Sequence, residues 1–536
     1  MNRYCQSERC QTLLSFRCRF MMSMIFIPLM RGRSTMFENA GEDDASKTDV
    51  KRRARDLVER LQGGAMGSIA YDTSWVARLK NRDGSPKFPT TIAWLRAHQH
   101  ADGSFGARDE TLHDRLISTL ASVNALTTLH DETDSERISR ALDYVARNGD
   151  RLRADDAETI GFELLFPSLL EEAKGYGYRL PFESFGWVEE LGKRKLSAVP
   201  ASWIYEAESP LIHSIEFLGK TAQIDRMAQL VSVNGSIGNS PSASAFVYGQ
   251  TDDPRLEAYL RQIVETSEDG GVCNVQPFEI FETAWVYFNL QLAGITVEGM
   301  QKGLHEIELS FRPQGVGISR NGLMPDADDS ALAVNVLARA GRRMSLQFLD
   351  FYQAERGFLC FPYERNPSIS TNIHILDALR AYEPQEVAPH VDKILTFLRE
   401  AQQENAYWKD KWHASPFYTT AHAILALRGL SESLIKTAVD YLIESQRPDG
   451  SWGIFRGTAE ETAYCVQALT LALPYSADVD KRLARALSFL SSEGAKKPHS
   501  ELWIGKGLYA PTYVIDATIL SARALYQRWR YSHEKG

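Results

Sequence analysis

The chain has 536 residues and a formal charge of −9 at pH 7, with 60 Lys and Arg against 69 Asp and Glu. No long run of Lys and Arg follows residue 60. This excludes a general binder of nucleic-acid backbone, which needs clustered positive charge. At roughly 100–200 residues per domain the length suggests two or three domains, and 44% hydrophobic residues are ample for a buried core.

Residues 1–49 differ from the rest. The apolar run from Phe20 to Met30 is flanked by arginines. It is too short to span a bilayer, and no small-residue cleavage site follows it. The expectation is a disordered extension and no integral membrane segment, with a transit-type leader or a later start at Met36 as alternatives. The cysteines, Cys5, Cys10, Cys18, Cys273, Cys360 and Cys465, show no metal-ligand spacing. Such a sparse set points to a reduced, cytoplasmic protein.

Strand signals are few and helical periodicity recurs. Leu116, Leu120, Val123, Leu126 and Leu129 fall on one helical face, and 331–341, 419–430 and 462–473 read as helices rich in Ala and Leu. The fold class expected is all-α. A weak repeat punctuates the helices: QHADGSFG from Gln99, a diverged NGSIG from Asn234, and QRPDGSWG from Gln446. Asp-Gly turns the chain and the aromatic packs back on the helical layer. Repeated helix-turn-helix units suggest a toroid, an α/α barrel in which helical hairpins close into a ring.

The stretch Met324 to Val334, MPDADDSALAV, puts Asp326, Asp328 and Asp329 at the start of an apolar helical run. Helix capping would account for one aspartate. Three like charges this close resist joint ionisation, so one carboxyl tends to keep its proton. Asp328 is expected to be held neutral by its neighbours and by hydrogen bonds, yet to remain a strong acid. The cluster lacks the Gly and distal Glu of a calcium loop, and no nucleophile-elbow, zincin, P-loop or dinucleotide motif occurs.

Asp326-Ala327-Asp328-Asp329 resembles the D-x-D-D signature of class II terpene cyclases. SIAYDTSWVA from Ser68, GFELLFPSLLEEA from Gly161, SPSASAF from Ser240, DKWHASPFYTTAH from Asp410, TAEETAY from Thr458 and LWIGKGLY from Leu502 resemble further blocks of that family. The resemblance runs from about residue 55 to 525 and is closest to bacterial diterpene cyclases. It implies two α/α barrels: a β domain of residues 50–80 and 294–536, and a γ domain of residues 81–293 inserted after the first β-domain helix. No D-D-x-x-D ionising motif is present, so the diphosphate of the substrate is expected to stay attached.

The resemblance also implies roles. The substrate would be geranylgeranyl diphosphate, protonated at its terminal double bond by Asp328, with Asp326 and Asp329 positioning and polarising the acid. Trp285, Phe281 and Trp412 are candidates for an aromatic lining that stabilises the cation. His213, in IHSIE, and Asn274, in GGVCNV, match the residues that hold the deprotonating water in ent-copalyl diphosphate synthases. His374 resembles the partner of the acid. Lys506 resembles a diphosphate-binding lysine, and Asp155, Asp156 and Glu158 stand where the family binds Mg2+. A downstream class I synthase, on a kaurene and gibberellin route, is the partner implied. The product expected is ent-copalyl diphosphate, which makes the enzyme an isomerase. The alternatives are a halimadienyl or hydroxylated labdane-type product, a squalene-type cyclase, and from other classes an α/α-barrel binding protein or a carbohydrate-active enzyme with paired carboxylates.

Overall fold

The computed structural model describes residues 44–61, 64–155, 157–362, 364–404, 406–493 and 496–534. The expectation of a disordered extension over residues 1–49 lies outside the described residues for 1–43, with the apolar run from Phe20 to Met30, and is corrected for 44–49, which begin the helix Asp44–Arg60. Among the described residues no helix is long and apolar enough to cross a membrane.

The helices that build the site are α1 (Asp44–Arg60), α2 (Ala70–Ala77), α3 (Leu112–Leu129), α4 (Phe162–Gly175), α5 (Pro241–Thr251), α6 (Glu279–Leu292), α7 (Ala327–Arg339), α8 (Ile369–Leu379), α9 (Pro416–Leu427), α10 (Ala459–Ala472) and α11 (Thr512–Glu534). Each of α6 to α11 packs on the next, and α11 returns to α6, which closes a ring. A second ring runs α2, α3, α4, the 3-10 segment Pro210–Thr221, α5, and back to α2. Other helices lie outside each ring.

Sequence pattern decides which layer a helix joins. In α9 every residue from Phe417 to Leu427 is buried, whereas the outer helix Pro384–Ala401 buries only Val387, Ile394 and Leu398. A helix apolar all round has to be enclosed, and one with a single apolar stripe covers it. The expected all-α architecture of two α/α barrels is what forms. Among the described residues the named strands are a two-residue antiparallel pair, Trp503–Ile504 with Leu508–Tyr509.

The domain limits need correction. Residues 50–80 were assigned to the β domain, but α2 packs on α3 and α5 in the other ring. Residues 81–293 were assigned to the γ domain, but α6 packs on α7 and α11. The insertion follows α1, whose Val58 meets Gly299: a Cβ there would stand 3.0 Å from Val58 Cγ1. Barrel membership is set by which apolar faces meet, and linear spacing shows that only approximately.

The repeat has a physical basis in all three copies. Asp102, Asn234 and Asp449 each accept from the backbone N–H two residues on, at 2.9, 3.0 and 3.0 Å. The intervening glycines have φ of 96°, 83° and 90°, the left-handed region that favours glycine. A Cβ at each would meet the backbone of an outer helix, at 2.4 Å from Arg140 O, 2.8 Å from Arg255 O and 2.7 Å from Arg485 C. Each turn thus docks tightly on an outer helix.

The strand pair sits between the rings. The Trp503 indole donates to Glu460 of α10 at 2.7 Å, and Lys506, in the turn, reaches Glu216 of the other ring at 2.7 Å.

Candidate active site

Asp326 is the N-cap of α7, and its Oδ1 accepts from the Asp329 backbone N–H at 2.8 Å. Capping therefore accounts for one aspartate of the three. Asp326 and Asp329 are buried, while the Asp328 side chain keeps 18% exposure. Asp328 Oδ1 lies 2.8 Å from His374 Nδ1. Burial, and then the charge of Asp329, push Asp326 well above the usual carboxylate range. Burial, and then the charge of Asp328, push Asp329 up to about 7. Asp326 and Asp329 are pushed up because burial takes their water away.

His374 is held by a second aspartate. Asp410 Oδ1 accepts from the Ile369 and Ser370 backbone N–H groups, both at 2.9 Å, and so caps α8. Burial works against a charge on His374. The Asp328 carboxylate, by charge and hydrogen bond, outweighs it with help from Asp410 and Asp377, and raises this histidine above its ordinary value. Asp328 thus faces a histidine whose protonated form is favoured.

Aromatic rings wall this place. Trp285 is fully buried, with ring centroids of His374 at 5.1 Å, Trp503 at 5.4 Å, His422 at 5.4 Å, Tyr418 at 6.0 Å and Phe281 at 6.4 Å. Trp285 and Phe281 therefore belong to one cluster. Trp412 does not: it pairs with Phe361 at 6.1 Å and Lys411 lies over its ring. The strand pair presents Trp503 to Phe281 at 5.5 Å instead. Sequence reasoning did not single out Trp503, Tyr418 or His422, though all three lie in motifs it quoted.

The other functional candidates gather around the strand turn. His213 is buried, and its Nδ1 lies 2.9 Å from the Gly238 carbonyl. A carbonyl only accepts, so Nδ1 carries the ring proton and Nε2 is left as an acceptor. Burial, and then the nearby charge of Lys506, push His213 down to about 3 and keep it neutral. Asn274 Oδ1 accepts from the Lys506 backbone N–H at 3.0 Å, which turns its amide NH2 away from that contact. A Cβ at Gly505 would stand 2.5 Å from Asn274 Nδ2, so only glycine fits there.

Lys506 itself is fully buried. Its Nζ donates to Glu216 at 2.7 Å, Ser240 at 2.6 Å and Ser242 at 2.5 Å. An ammonium has three donors, and all three are engaged. Lys506 is thus neither solvated nor free to take a diphosphate, and its expected role is replaced by a structural and electrostatic one.

The acidic segment fits a resident metal poorly. Asp155 Oδ2 accepts from the His113 backbone N–H at 2.8 Å, and Oδ1 from Ala157 at 3.2 Å. Burial opposes the Asp155 charge, but hydrogen bonds from His113 hold its carboxyl below the usual range. Glu158 faces Arg365 at 3.6 Å. Asp156 lies outside the described residues. Among the described residues no three His, Cys, Asp or Glu are grouped to hold a metal ion. A cavity of about 310 Å³ opens here, lined by Glu110, Leu112, Arg151, Ala154 and Asp155.

Comparison with known proteins agrees with this arrangement. Residues 365–473 match the squalene-hopene cyclase C-terminal domain, and residues 74–153 match the prenyltransferase alpha-alpha toroid domain. A Type B diterpene cyclase of Mycobacterium tuberculosis is 35% identical over 88% of this chain and 97% of its own length. An ent-copalyl diphosphate synthase of Streptomyces sp. KO-3988 is 30% identical over 89% of this chain and 96% of its own length. The solved structure of ent-copalyl diphosphate synthase from Streptomyces platensis superposes with a TM-score of 0.77 at 28% identity, covering 89% of this chain and all of that one.

Proposed function

The chain belongs to the class II diterpene cyclases, and we propose that it converts geranylgeranyl diphosphate to ent-copalyl diphosphate. The observation that carries the proposal is the contact of Asp328, the least buried carboxyl of its cluster, with His374 at 2.8 Å.

Asp328 gives its proton to the terminal double bond of the substrate. His374, charged beside it, stabilises the carboxylate left behind, and Asp326 and Asp329 stay neutral and add no opposing charge. Internal double bonds then attack the cation in turn and close two rings. Trp285, Phe281 and Trp503 face the growing charge with π surfaces, and enclosure of the folded chain lowers the entropic cost of closure. His213 Nε2 and the Asn274 amide hold the water that removes a proton from the bicyclic cation. One proton enters and one leaves, so the reaction is an isomerisation and the diphosphate is untouched.

Support for this product is the neutral His213, which feels the charge of Lys506, and Asn274, which accepts from the Lys506 backbone, together with the Streptomyces relative. Magnesium is proposed only as an ion that arrives with the diphosphate, with Glu158, partly exposed beside Arg365, the carboxylate placed to meet it. A class I synthase acting on the retained diphosphate is the proposed next enzyme.

The test incubates the purified chain with geranylgeranyl diphosphate, then phosphatase, and identifies the alcohol against chiral standards. Ent-copalol is expected, and Asp328→Asn should form no bicycle while keeping its helical circular dichroism. A rearranged or hydroxylated alcohol would overturn the product, and full activity of Asp328→Asn would overturn the acid.

A further inference from the structure

A second histidine stands behind the first. His374 Nε2 lies 3.4 Å from His422 Nδ1, so Asp328, His374 and His422 form a chain from α7 through α8 to α9. Both rings are buried, and His422 Nε2 is buried with no hydrogen-bond partner among the described residues. The His422 ring stacks on Trp285 with 22° between planes and meets Tyr418 at 4.5 Å and Tyr464 at 5.2 Å.

We propose that His422 is a positioning residue for the acid: it accepts a hydrogen bond from His374 Nε2 and so keeps a proton on the far side of that ring. The near nitrogen, Nδ1, is then left to hold the Asp328 side of the pair in its proton-loaded form. The inference rests on the cyclase reading above.

The chemistry follows from donor counting. Burial, and then the charge of His374, hold His422 far below the ordinary histidine value, so it is neutral. A neutral imidazole has one donor and one acceptor. With Nδ1 accepting, the His422 proton sits on Nε2, as a buried donor with no partner. That arrangement costs stability. A phenylalanine or leucine would fill the same space without the cost, so packing alone does not account for a histidine here.

Among the described residues, the charged and titratable groups that face His374 suit this role. Asp328 and Asp329 come from α7, Asp377 from α8 itself, Asp410 from the loop before α9, and His422 and Tyr418 from α9. The carboxylates of Asp328, Asp410 and Asp377 favour a proton on His374, and His422 supplies the acceptor that lets it remain on Nε2. His374 is charged both before and after Asp328 delivers its proton, so the alkaline limb is the loss of the His374 Nε2 proton as pH rises. Without the acceptor that N–H is unpaired in the charged ring, so the proton is lost at lower pH.

The experiment measures single-turnover formation of bicyclic product from geranylgeranyl diphosphate across the neutral pH range. His422→Phe keeps a ring against Trp285 and removes the acceptor, and His422→Asn restores an acceptor near the position of Nδ1. The expected result for His422→Phe is a rate loss of about tenfold, with the alkaline limb displaced to lower pH by about one unit. His422→Asn should recover the limb. Equal losses in both variants with an unmoved limb would overturn the proposal, because a packing role predicts that. Should the Phe ring not be accommodated, His422→Leu repeats the measurement. A wild-type chain that makes no bicycle would sink the cyclase reading, whereas a cyclising wild type with an unmoved limb in the variant sinks this inference alone.

Discussion

Breaking the Lys506–Glu216 pair is the perturbation whose size the structure fixes best. Both side chains have 0% exposure, and their contact is 2.7 Å. Lys506→Met leaves Glu216 charged in the interior, with Tyr71 at 3.1 Å and Ser242 at 2.9 Å as its remaining donors. Its second oxygen is already buried without a partner. Removing one member of a buried ion pair costs about 3–5 kcal/mol. Glu216→Gln strands the ammonium instead and should cost a similar amount. The double variant removes both charges, so its cost should fall short of the sum by about 2–3 kcal/mol. Urea unfolding followed by tryptophan fluorescence gives all three values. Additivity within about 0.5 kcal/mol would refute the reasoning, because uncoupled residues behave so. Kinetics separate this reading from a diphosphate-binding lysine. Here Lys506→Met changes stability and product proportions with KM for the substrate unchanged, whereas loss of a diphosphate contact would raise KM.

Two further outcomes follow from single residues. His213→Ala removes the buried neutral base, so water should capture part of the bicyclic cation and a hydroxylated diphosphate should appear at the expense of the olefin. Mass spectrometry of the dephosphorylated products reads the ratio, and an unchanged ratio would remove His213 from the mechanism. Glu282, whose Oε1 accepts from the Ala65 N–H at 3.0 Å while its other oxygen is unpartnered, is pushed up by burial to about 8. A carboxyl raised on folding contributes stability that is complete below its unfolded pKa and is lost as pH rises through its folded one. Relative to wild type, Glu282→Gln should therefore gain stability between about pH 5 and 8, by at most about 1.4 kcal/mol per unit, and then level off. Unfolding midpoints at a series of pH values check this, and a flat difference would refute the buried charge.

Local rules made much of the acid side legible. Asp326 caps a helix as short polar residues do, and the register of α7 then places Asp328 and Asp329 in its first turn. Layering was legible for the same reason, since α9 carries no Asp, Glu, Lys or Arg on any face. Pairings distant in sequence were not. Trp412 and Trp503 both stand in quoted motifs, and nothing local shows which one meets Phe281. The choice is made by the bridge between His413 and Trp503, which closes across α9 and α10. His374 and His422 likewise meet only because α8 and α9 are neighbours in a ring. Lys506 looked like a surface or diphosphate lysine because its partner, Glu216, is 290 positions away.

In the proposed reaction the segment LWIGKGLY ties the two ends together. Trp503 lies in the aromatic wall with His374, and Asn274 is fixed by the backbone of Lys506, whose charge lowers His213. Tyr509, paired with Trp503 across the strands, lies close enough to Asp329 for that carboxylate, after burial, to raise its phenol. Two glycines in the turn make this possible: Gly505 presses on Asn274, and a Cβ at Gly507 would stand 2.8 Å from Asp114 Oδ1. Asp114 Oδ1 also accepts from the Leu508 N–H at 3.0 Å, and burial pushes this carboxyl up to about 6. A side chain at either glycine would lift the turn from one barrel while its tryptophan stayed in the other. The separation between proton donor and proton acceptor is thus set by one short hairpin. Product choice should therefore respond to changes in its turn even though no turn side chain is placed to touch the reacting carbons.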